Sequence, residues 1–547
     1  MRRFVVPPRP VLLAAAWALL AGAALALRPI LPVDETRYVS VAWEMWLRGD
    51  FLVPHLNGLP YSDKPPLLFW LFHLGWGVFG VNEWWPRVVP ALFALANLFL
   101  TGRLARRLWP DRPEVARAAP AVLLGFLLWS VFTSMVMFDM LVTFCVLLAL
   151  LGLEAWRRGG AQSSRAWLQV GVALGLGILV KGPAVLVPPL AVALFAPWWG
   201  RERARERGDG ISQRGDGINF WLPRLAAAVV LTAVIALAWA LPAAGAGGPD
   251  YANAILISQT EERMVYSYDH NRPWWWYLAL LPVLLYPYSA WPPLWQAAFR
   301  QRAADPGIDL GTRFCLSWLV SGLAVFSLIS GKQPHYLLPL MPACALLVSR
   351  LLTEPGTAVR RWHLVPVLSL LAVVGSAMVA APVLAGRRGL PPWIQEVSPW
   401  PGVALLALGL AFVLFFDRLF TRRAEALTLI TLAMVLAAQL GWSGAARQAY
   451  NLEPVARYLS AAEKQGRPIA CVGDYHGQFH FLGRLERPIL EIPNGSESLW
   501  IRQNPRGLVI QDLRYMPPDV ERAELTQPYR DDVLAVWGAV WGREGLP

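Results

Sequence analysis

The 547 residues carry 45 arginines but only four lysines, so this chain writes a generic positive charge as Arg. Lys64, Lys181 and Lys332 nevertheless all fall at expected outer edges of apolar runs, the side where positive charge is disfavoured in membrane proteins. A compact ammonium suits point contact with a phosphate; chance placement is the plain alternative. Asp34-Glu35-Thr36-Arg37-Tyr38 opens the loop that holds Lys64. A carboxylate there could take a proton from an acceptor hydroxyl as general base, or simply start a hydrated helix at the positive end of its dipole. Pro54-His55-Leu56-Asn57-Gly58 and Tyr61-Ser62-Asp63-Lys64-Pro65-Pro66 follow. The double proline holds the backbone extended and fixes where the Lys64 ammonium points; a proline turn capping a helix is the bland reading. Asp139 lies between two apolar runs, where an acid is a functional candidate by default. It could instead cap the next helix, and an ion pair with Lys181 would make it structural support. His476 and His480 have the i, i+4 spacing that zinc ligands can use, but no third ligand follows nearby, so they read as surface or core histidines.

These residues need a frame, and composition says which kind. The chain is 56% hydrophobic and 16% charged, with a mean hydropathy of +0.41, against about 25% charged in soluble proteins. That excludes a disordered chain and points to a polytopic membrane protein. The 28 tryptophans suit the membrane–water interfaces. Apolar runs of about 20 residues number about thirteen, centred near 20, 97, 126, 147, 173, 191, 233, 285, 322, 344, 373, 410 and 435. The first follows Arg2, Arg3 and Arg9 and reads as a retained anchor with a cytoplasmic N-terminus. With alternating spans, the expected cytoplasmic segments hold 26 Lys plus Arg and the outer loops before the tail hold 11, the bias that topology demands. The net charge of +12 divides into +13 before Arg447 and −1 from Arg447 onward. It is scattered through short gaps, unlike the basic face of a nucleic-acid binder. From about 446 onward the composition turns polar, with strand-like pieces Ile469–Val472 and Leu508–Ile510. A small soluble α/β domain is expected there, outside the cytoplasm because the span count is odd. Arg-Gly-Asp-Gly-Ile occurs twice within 207–218, read as a solvated loop with a local duplication. The four cysteines lie far apart and give no metal or disulfide spacing.

The pairing of Asp34-Glu35-x-Arg37-Tyr38 with Pro54-His55-x-Asn57-Gly58 and Tyr61-x-x-Lys64-Pro65-Pro66 resembles the bacterial aminoarabinose lipid A transferases and their relatives. Phe138-Asp139-Met140, Lys181-Gly182-Pro183, His270-x-Arg272-Pro273 and Lys332-x-Pro334-His335-Tyr336-Leu337-Leu338-Pro339 extend the resemblance over about 34–340. It implies an all-α polytopic C-type glycosyltransferase fold akin to protein O-mannosyltransferases, a polyprenyl-monophosphate sugar donor, and an acceptor on the periplasmic face. Carried over by motif, Asp34 is the essential carboxylate and Lys64 contacts the donor phosphate. Tyr38 and Tyr61 line the cavity, Asp139 and Lys181 are buried polar positions beside it, and Arg272, Lys332 and Tyr336 lie on the donor side. Glu35, Arg37, His270 and His335 complete the supporting set. Asp63 stands where close relatives commonly have Glu; a zinc ion there would use that carboxylate with a His such as His270, and the shorter side chain argues against a metal.

The expected protein is an inverting glycosyltransferase of the bacterial inner membrane, moving aminoarabinose or a related pentose or hexose from undecaprenyl phosphate to lipid A or another envelope glycan. No cofactor and no nucleic acid are called for; membrane lipids surround it. The expected division is a transmembrane domain, 1–445, with a periplasmic loop 32–82 and a mobile loop 244–273, then a periplasmic domain, 446–547. The loop at 244–273 is expected to close over bound donor. Two rivals remain: a protein hydroxyl as acceptor, and a transporter or flippase for lipid-linked sugars, which would place its site near the midplane.

Overall fold

The computed structural model describes residues 9–158, 163–199, 218–258, 271–304, 307–388, 391–513 and 520–538. His270 and the duplicated segment at 207–218, apart from its last residue, lie outside them. The chain is a multi-pass, predominantly helical membrane protein with a small strand-containing C-terminal domain. Among the described residues, eight helices are long and apolar enough to cross a membrane, against the thirteen expected runs. Of the five runs that do not give one of these helices, those near 173 and 410 form Ser163–Lys181 and the shorter Trp400–Leu414, and the other three have a cause in the sequence. The run near 126 splits at Phe126, extended between α5 (Pro113–Gly125) and α6 (Leu127–Phe132). The runs near 191 and 285 carry Pro183, Pro188 and Pro189, and Pro282 and Pro287, and their helices are short. Proline removes a helix hydrogen bond and clashes with the preceding turn.

The frame around the site is built from α1 (Arg9–Leu27), α2 (Asp34–Arg48), α3 (Leu67–Phe79), α4 (Trp84–Leu108), α7 (Asp139–Arg158) and α8 (Ser163–Lys181). Spanning helices end at two polar edges. At one edge lie Arg28 after α1, Asp139 at the head of α7 and Lys181 at the foot of α8. At the other, Arg107 reaches Glu154 at 3.5 Å, the Trp109 indole donates to Asp309 at 2.9 Å, and Arg112 meets Glu354 at 3.0 Å. In the core, Phe69, Phe72, Trp76, Trp129, Phe138 and Trp318 are buried. Gly171 and Gly175, one turn apart on α8, let the helix Ile218–Gly247 approach closely: a Cβ on Gly171 would lie 3.0 Å from the Ala228 carbonyl. Small residues at such spacing are the usual means of tight helix contact in a bilayer.

The segment expected as a mobile loop begins differently. Residues 244–247 finish the helix Ile218–Gly247 and Pro249–Asn253 forms another, so the glycines here end a helix. The remainder to Asn271 falls largely outside the described residues.

In the tail, five strands run in the order β4-β3-β5-β7-β6: β3 (Ile469–Val472), β4 (Leu490–Ile492), β5 (Leu508–Leu513), β6 (Leu525–Tyr529) and β7 (Asp532–Trp537). β3 lies parallel to β4 and β5, while β5, β7 and β6 are antiparallel. The helix Glu453–Lys464 buries Val455, Ala456, Leu459 and Ala462, one helical face. Both strand-like pieces read from sequence are strands.

Candidate active site

The adjacent carboxylates of α2 have different fates. Glu35 points inward and is consumed. Arg28 reaches it with both terminal nitrogens, at 2.5 and 3.0 Å, and the Leu31 and Val136 N–H groups each donate at 2.8 Å. Burial alone would raise the Glu35 carboxyl, but Arg28 and these main-chain donors outweigh it and hold the group below its ordinary value. Arg28 also donates to the Ser134 carbonyl at 3.0 Å, so this ion pair ties α1 and α2 to the turn before Asp139. Asp34 is 40% exposed at its side chain, against 5% for Glu35. Arg37 binds one Asp34 oxygen, and the Tyr38 hydroxyl donates to that same oxygen at 3.4 Å. Asp34 therefore keeps an oxygen for other chemistry, oriented by one cation.

Arg37 is the hub of this side. Burial would lower it, but the surrounding Tyr61, Tyr38, Asp34 and Asp63 raise it. Tyr38 packs edge-on to Phe138 at 4.9 Å, and burial together with Asp34 pushes its phenol up. The Pro54–Gly58 motif is a hairpin, β1 (His55–Leu56) against β2 (Leu59–Pro60), turned by Asn57 and Gly58 with φ of 53° and 83°. Asn-Gly favours this two-residue turn because both positions need positive φ. Glu44 on α2 accepts from the Asn57 and Gly58 N–H groups. The hairpin delivers the chain to Tyr61, which is buried, and to Lys64, whose ammonium lies 3.3 Å from the Asp63 carbonyl.

Facing them, Lys181 pairs with Asp139 at 2.6 Å and sits 4.7 Å from the centroid of the Tyr336 ring. The expected ion pair is thus present. His335 meets Tyr336 edge-on at 4.7 Å and lies within electrostatic reach of Asp139, Lys181, Asp34 and Lys64. Asp34, Arg37, Tyr38, Tyr61, Asp63, Lys64, Asp139, Lys181, His335 and Tyr336 therefore share one neighbourhood, although 302 residues separate the first from the last. Lys332 is placed differently. It is buried, and its ammonium donates to the Arg272 and Ile329 carbonyls at 2.9 and 2.5 Å. It closes a short antiparallel contact, Asn271 against Gly331, beside exposed Arg272. Among the described residues no three His, Cys, Asp or Glu gather to hold a metal ion, and the Asp63–His270 pairing involves a residue outside them. His480 is buried and bonds the Tyr475 hydroxyl through Nδ1 at 2.7 Å.

Four participants escape a reading of motifs. Arg28 had a signal: it is an outer-edge cation, like the three lysines. Glu44 had none beyond being an acid within an otherwise apolar helix face. Tyr277, whose hydroxyl donates to the Gln333 carbonyl at 3.1 Å, ends the aromatic run Trp274-Trp275-Trp276-Tyr277, where nothing marks it out from its neighbours. Ser40 had no signal, because its partners are in the tail: it donates to the Gly477 carbonyl at 2.6 Å and accepts from the Phe481 N–H at 3.1 Å. Asn57 exchanges two bonds with Ile489, at 2.9 and 2.8 Å, and the Trp43 indole donates to the Leu485 carbonyl at 2.9 Å. The tail thus rests on the helix and hairpin that carry Asp34 and Lys64.

Residues 63–208 match the dolichyl-phosphate-mannose-protein mannosyltransferase family. The chain is 32% identical over 386 residues to the undecaprenyl phosphate-alpha-4-amino-4-deoxy-L-arabinose arabinosyl transferase of Pseudomonas paraeruginosa strain DSM 24068 / PA7, covering 69% of this chain and 65% of that protein. It is 33% identical over 327 residues to the protein of the same name from Pseudomonas aeruginosa strain LESB58, covering 59% and 55%. The chain thus spans between 55% and 65% of the length of these curated relatives. The crystal structure of ArnT from Cupriavidus metallidurans in the apo state superposes with a TM-score of 0.72 at 21% identity, over 97% of this chain and 98% of that one. The same protein bound to undecaprenyl phosphate gives 0.70 at 20% identity, over 96% and 97%. At that identity the structural likeness speaks for the fold.

Proposed function

We propose that this chain, a relative of the bacterial aminoarabinose transferases in sequence and fold, is an inverting glycosyltransferase. It would move aminoarabinose, or a related pentose or hexose, from undecaprenyl phosphate to a periplasmic acceptor such as lipid A or another envelope glycan. The observation that carries this reading is one half-open carboxylate, Asp34, in the same neighbourhood as Lys64 and Lys181.

The acceptor hydroxyl oxygen attacks the anomeric carbon while Asp34 takes its proton. The bond from that carbon to the phosphate oxygen breaks, and undecaprenyl phosphate leaves with the electron pair. Lys64 offers a charge-assisted hydrogen bond as negative charge grows on the phosphate. Attack opposite the leaving group inverts the anomeric centre. Arg37 and Tyr38 hold Asp34; Lys181, paired with Asp139, supports the opposite wall through Tyr336. Lys332 joins this scheme best as a strut for the 271–272 segment, since two carbonyls occupy its ammonium; Arg272 remains on the donor side. Residues 1–445 would form the transferase domain and 446–547 a periplasmic domain, with the N-terminus cytoplasmic and the whole in the inner membrane. The charge bias and the tail's contact with α2 support that orientation.

The match over 63–208 supports one second reading, a protein hydroxyl as acceptor. Mass spectrometry of envelope glycolipids, glycans and proteins from cells with and without this protein tests both. Loss of one sugar from lipid A or a glycan supports the first reading, and loss from a protein supports the second. An unchanged envelope, with no undecaprenyl phosphate released by the purified protein, would contradict both.

A further inference from the structure

A second site lies at the edge of the bundle opposite Asp34. α1 starts at Arg9 and α4 ends at Leu108; at their other ends Arg87 of α4 donates to the Ala24 carbonyl of α1, and Arg28 after α1 pairs with Glu35 beside the candidate active site. At about 1.5 Å per residue, the 19 residues of α1 put some 28 Å between the two edges. Here α1, α4 and α5 enclose a cleft of about 570 Å³, within the usual range for small-ligand sites. Five arginines line it: Arg9, Arg103, Arg106, Arg107 and Arg117. Two are compensated, Arg9 by Glu425 at 3.1 Å and Arg107 by Glu154 at 3.5 Å. Arg103, Arg106 and Arg117 have no hydrogen bond or ion pair among the described residues. Among the described residues, three of the cleft's positive charges therefore have no ion-pair partner. Its remaining wall is apolar. Leu13 and Phe99 face it, and Phe99 is 43% exposed, as are Val11 and Leu12 in similar measure along the same end of α1. Gly102 lines it where α4 and α5 meet closely: a Cβ there would press on Pro120 at 2.9 Å.

We propose that this cleft binds the phosphodiester headgroup of an anionic phospholipid, with an acyl chain along Leu13 and Phe99. Guanidinium groups match phosphate oxygens in bidentate geometry. Basic pockets between spanning helices collect anionic headgroups because the surface field and the local charges add. A free phosphate would satisfy the arginines but leave the apolar wall bare, and the continuity of that wall with the exposed flank of α1 favours the lipid. The site is separate from the donor site in position, at the opposite ends of α1 and α4. It therefore stands or falls independently of the proposed activity.

Native mass spectrometry of the full chain, offered phosphatidylglycerol and phosphatidylcholine together, tests it. The wild-type protein should retain phosphatidylglycerol at least about tenfold over phosphatidylcholine. Arg103→Gln/Arg106→Gln/Arg117→Gln should remove that preference. Arg302→Gln/Arg418→Gln, exposed and outside the cleft, should keep it. No preference in the wild type, a preference surviving the triple substitution, or an equal loss in the outside pair would each overturn the site, as arginines that merely reach for water would predict. Inorganic phosphate competing as strongly as the lipid would overturn the lipid assignment. Should the triple variant fail to fold, a photo-crosslinking phosphatidylglycerol on unaltered protein decides: labelling confined to peptides within 9–13 and 99–120 upholds the site, and labelling elsewhere removes it.

Discussion

Replacing Asp34 and replacing Glu35 should do different things to this protein, because one carboxylate faces open space and the other is consumed by four donors. Glu35→Gln leaves the Arg28 guanidinium, itself 14% exposed, without its counter-charge. Breaking a buried pair from one side costs about 3–5 kcal/mol, so thermal unfolding in detergent should move down by several degrees. Asp34→Asn removes a half-exposed partner of Arg37, and such pairs are worth no more than about 1 kcal/mol. Equal melting of Glu35→Gln and wild type would show that the clamp on the Ser134–Val136 turn is dispensable. Sequence alone could propose that two acids at a membrane edge are used, but not which of them. That choice is set by the direction each side chain takes from the first turn of α2. It is also set by Arg28 and Val136, which are distant enough in sequence to leave no local trace.

At the scale of elements, α2 and its hairpin form the joint between the bundle and the tail. Asn57 stood out in sequence only as part of a motif; its double bond to Ile489 left no trace there, because the partner lies 432 residues on. Asn57→Ala removes both bonds and an amide suited to left-handed backbone. It should cost about 1–3 kcal/mol of docking, seen as faster protease cleavage or hydrogen exchange around 476–489 while the bundle's exchange is unchanged. Unaltered exchange there would mean the joint is held elsewhere. His480 gives this joint a pH limit. Burial pushes its imidazole down from 6.5 to about 4, and its Nδ1 is occupied by the Tyr475 hydroxyl. The unfolded histidine binds a proton more readily, so this contribution is complete above pH about 6.5 and is lost as pH falls toward 4. The loss is on the order of 3 kcal/mol by the energy of a pKa unit. Thermal unfolding of the full chain at pH 7, 6, 5 and 4, read by a fluorophore on the tail, should show that decline. His480→Gln should flatten it, and an equal decline in the variant would assign the limit to other groups.

For the whole molecule, hydropathy and charge put the matched residues at one edge; Asp34, Lys64, Asp139, Lys181 and Tyr336 share one neighbourhood, while Lys332 is taken up by the Arg272 and Ile329 carbonyls. Each expected run contains or borders a helix, because an apolar run in a bilayer must satisfy its own backbone. What hydropathy could not give is how many runs are full-length: prolines shorten the helices near 191 and 285, and the run near 126 breaks at Phe126. Nor could it show the tail lying over α2, because that contact pairs surfaces more than 400 residues apart. Sided labelling of Ser62→Cys and Arg117→Cys in sealed vesicles should mark them from opposite faces; the same face for both would contradict the two-edge arrangement. The most direct test of the proposed activity is sugar transfer by purified Asp34→Asn in liposomes supplied with undecaprenyl-phosphate sugar and acceptor. Donor binding should stay within a few-fold of wild type, while transfer falls by about two to four orders of magnitude, the range expected for a lost general base. Transfer at the wild-type rate would contradict it.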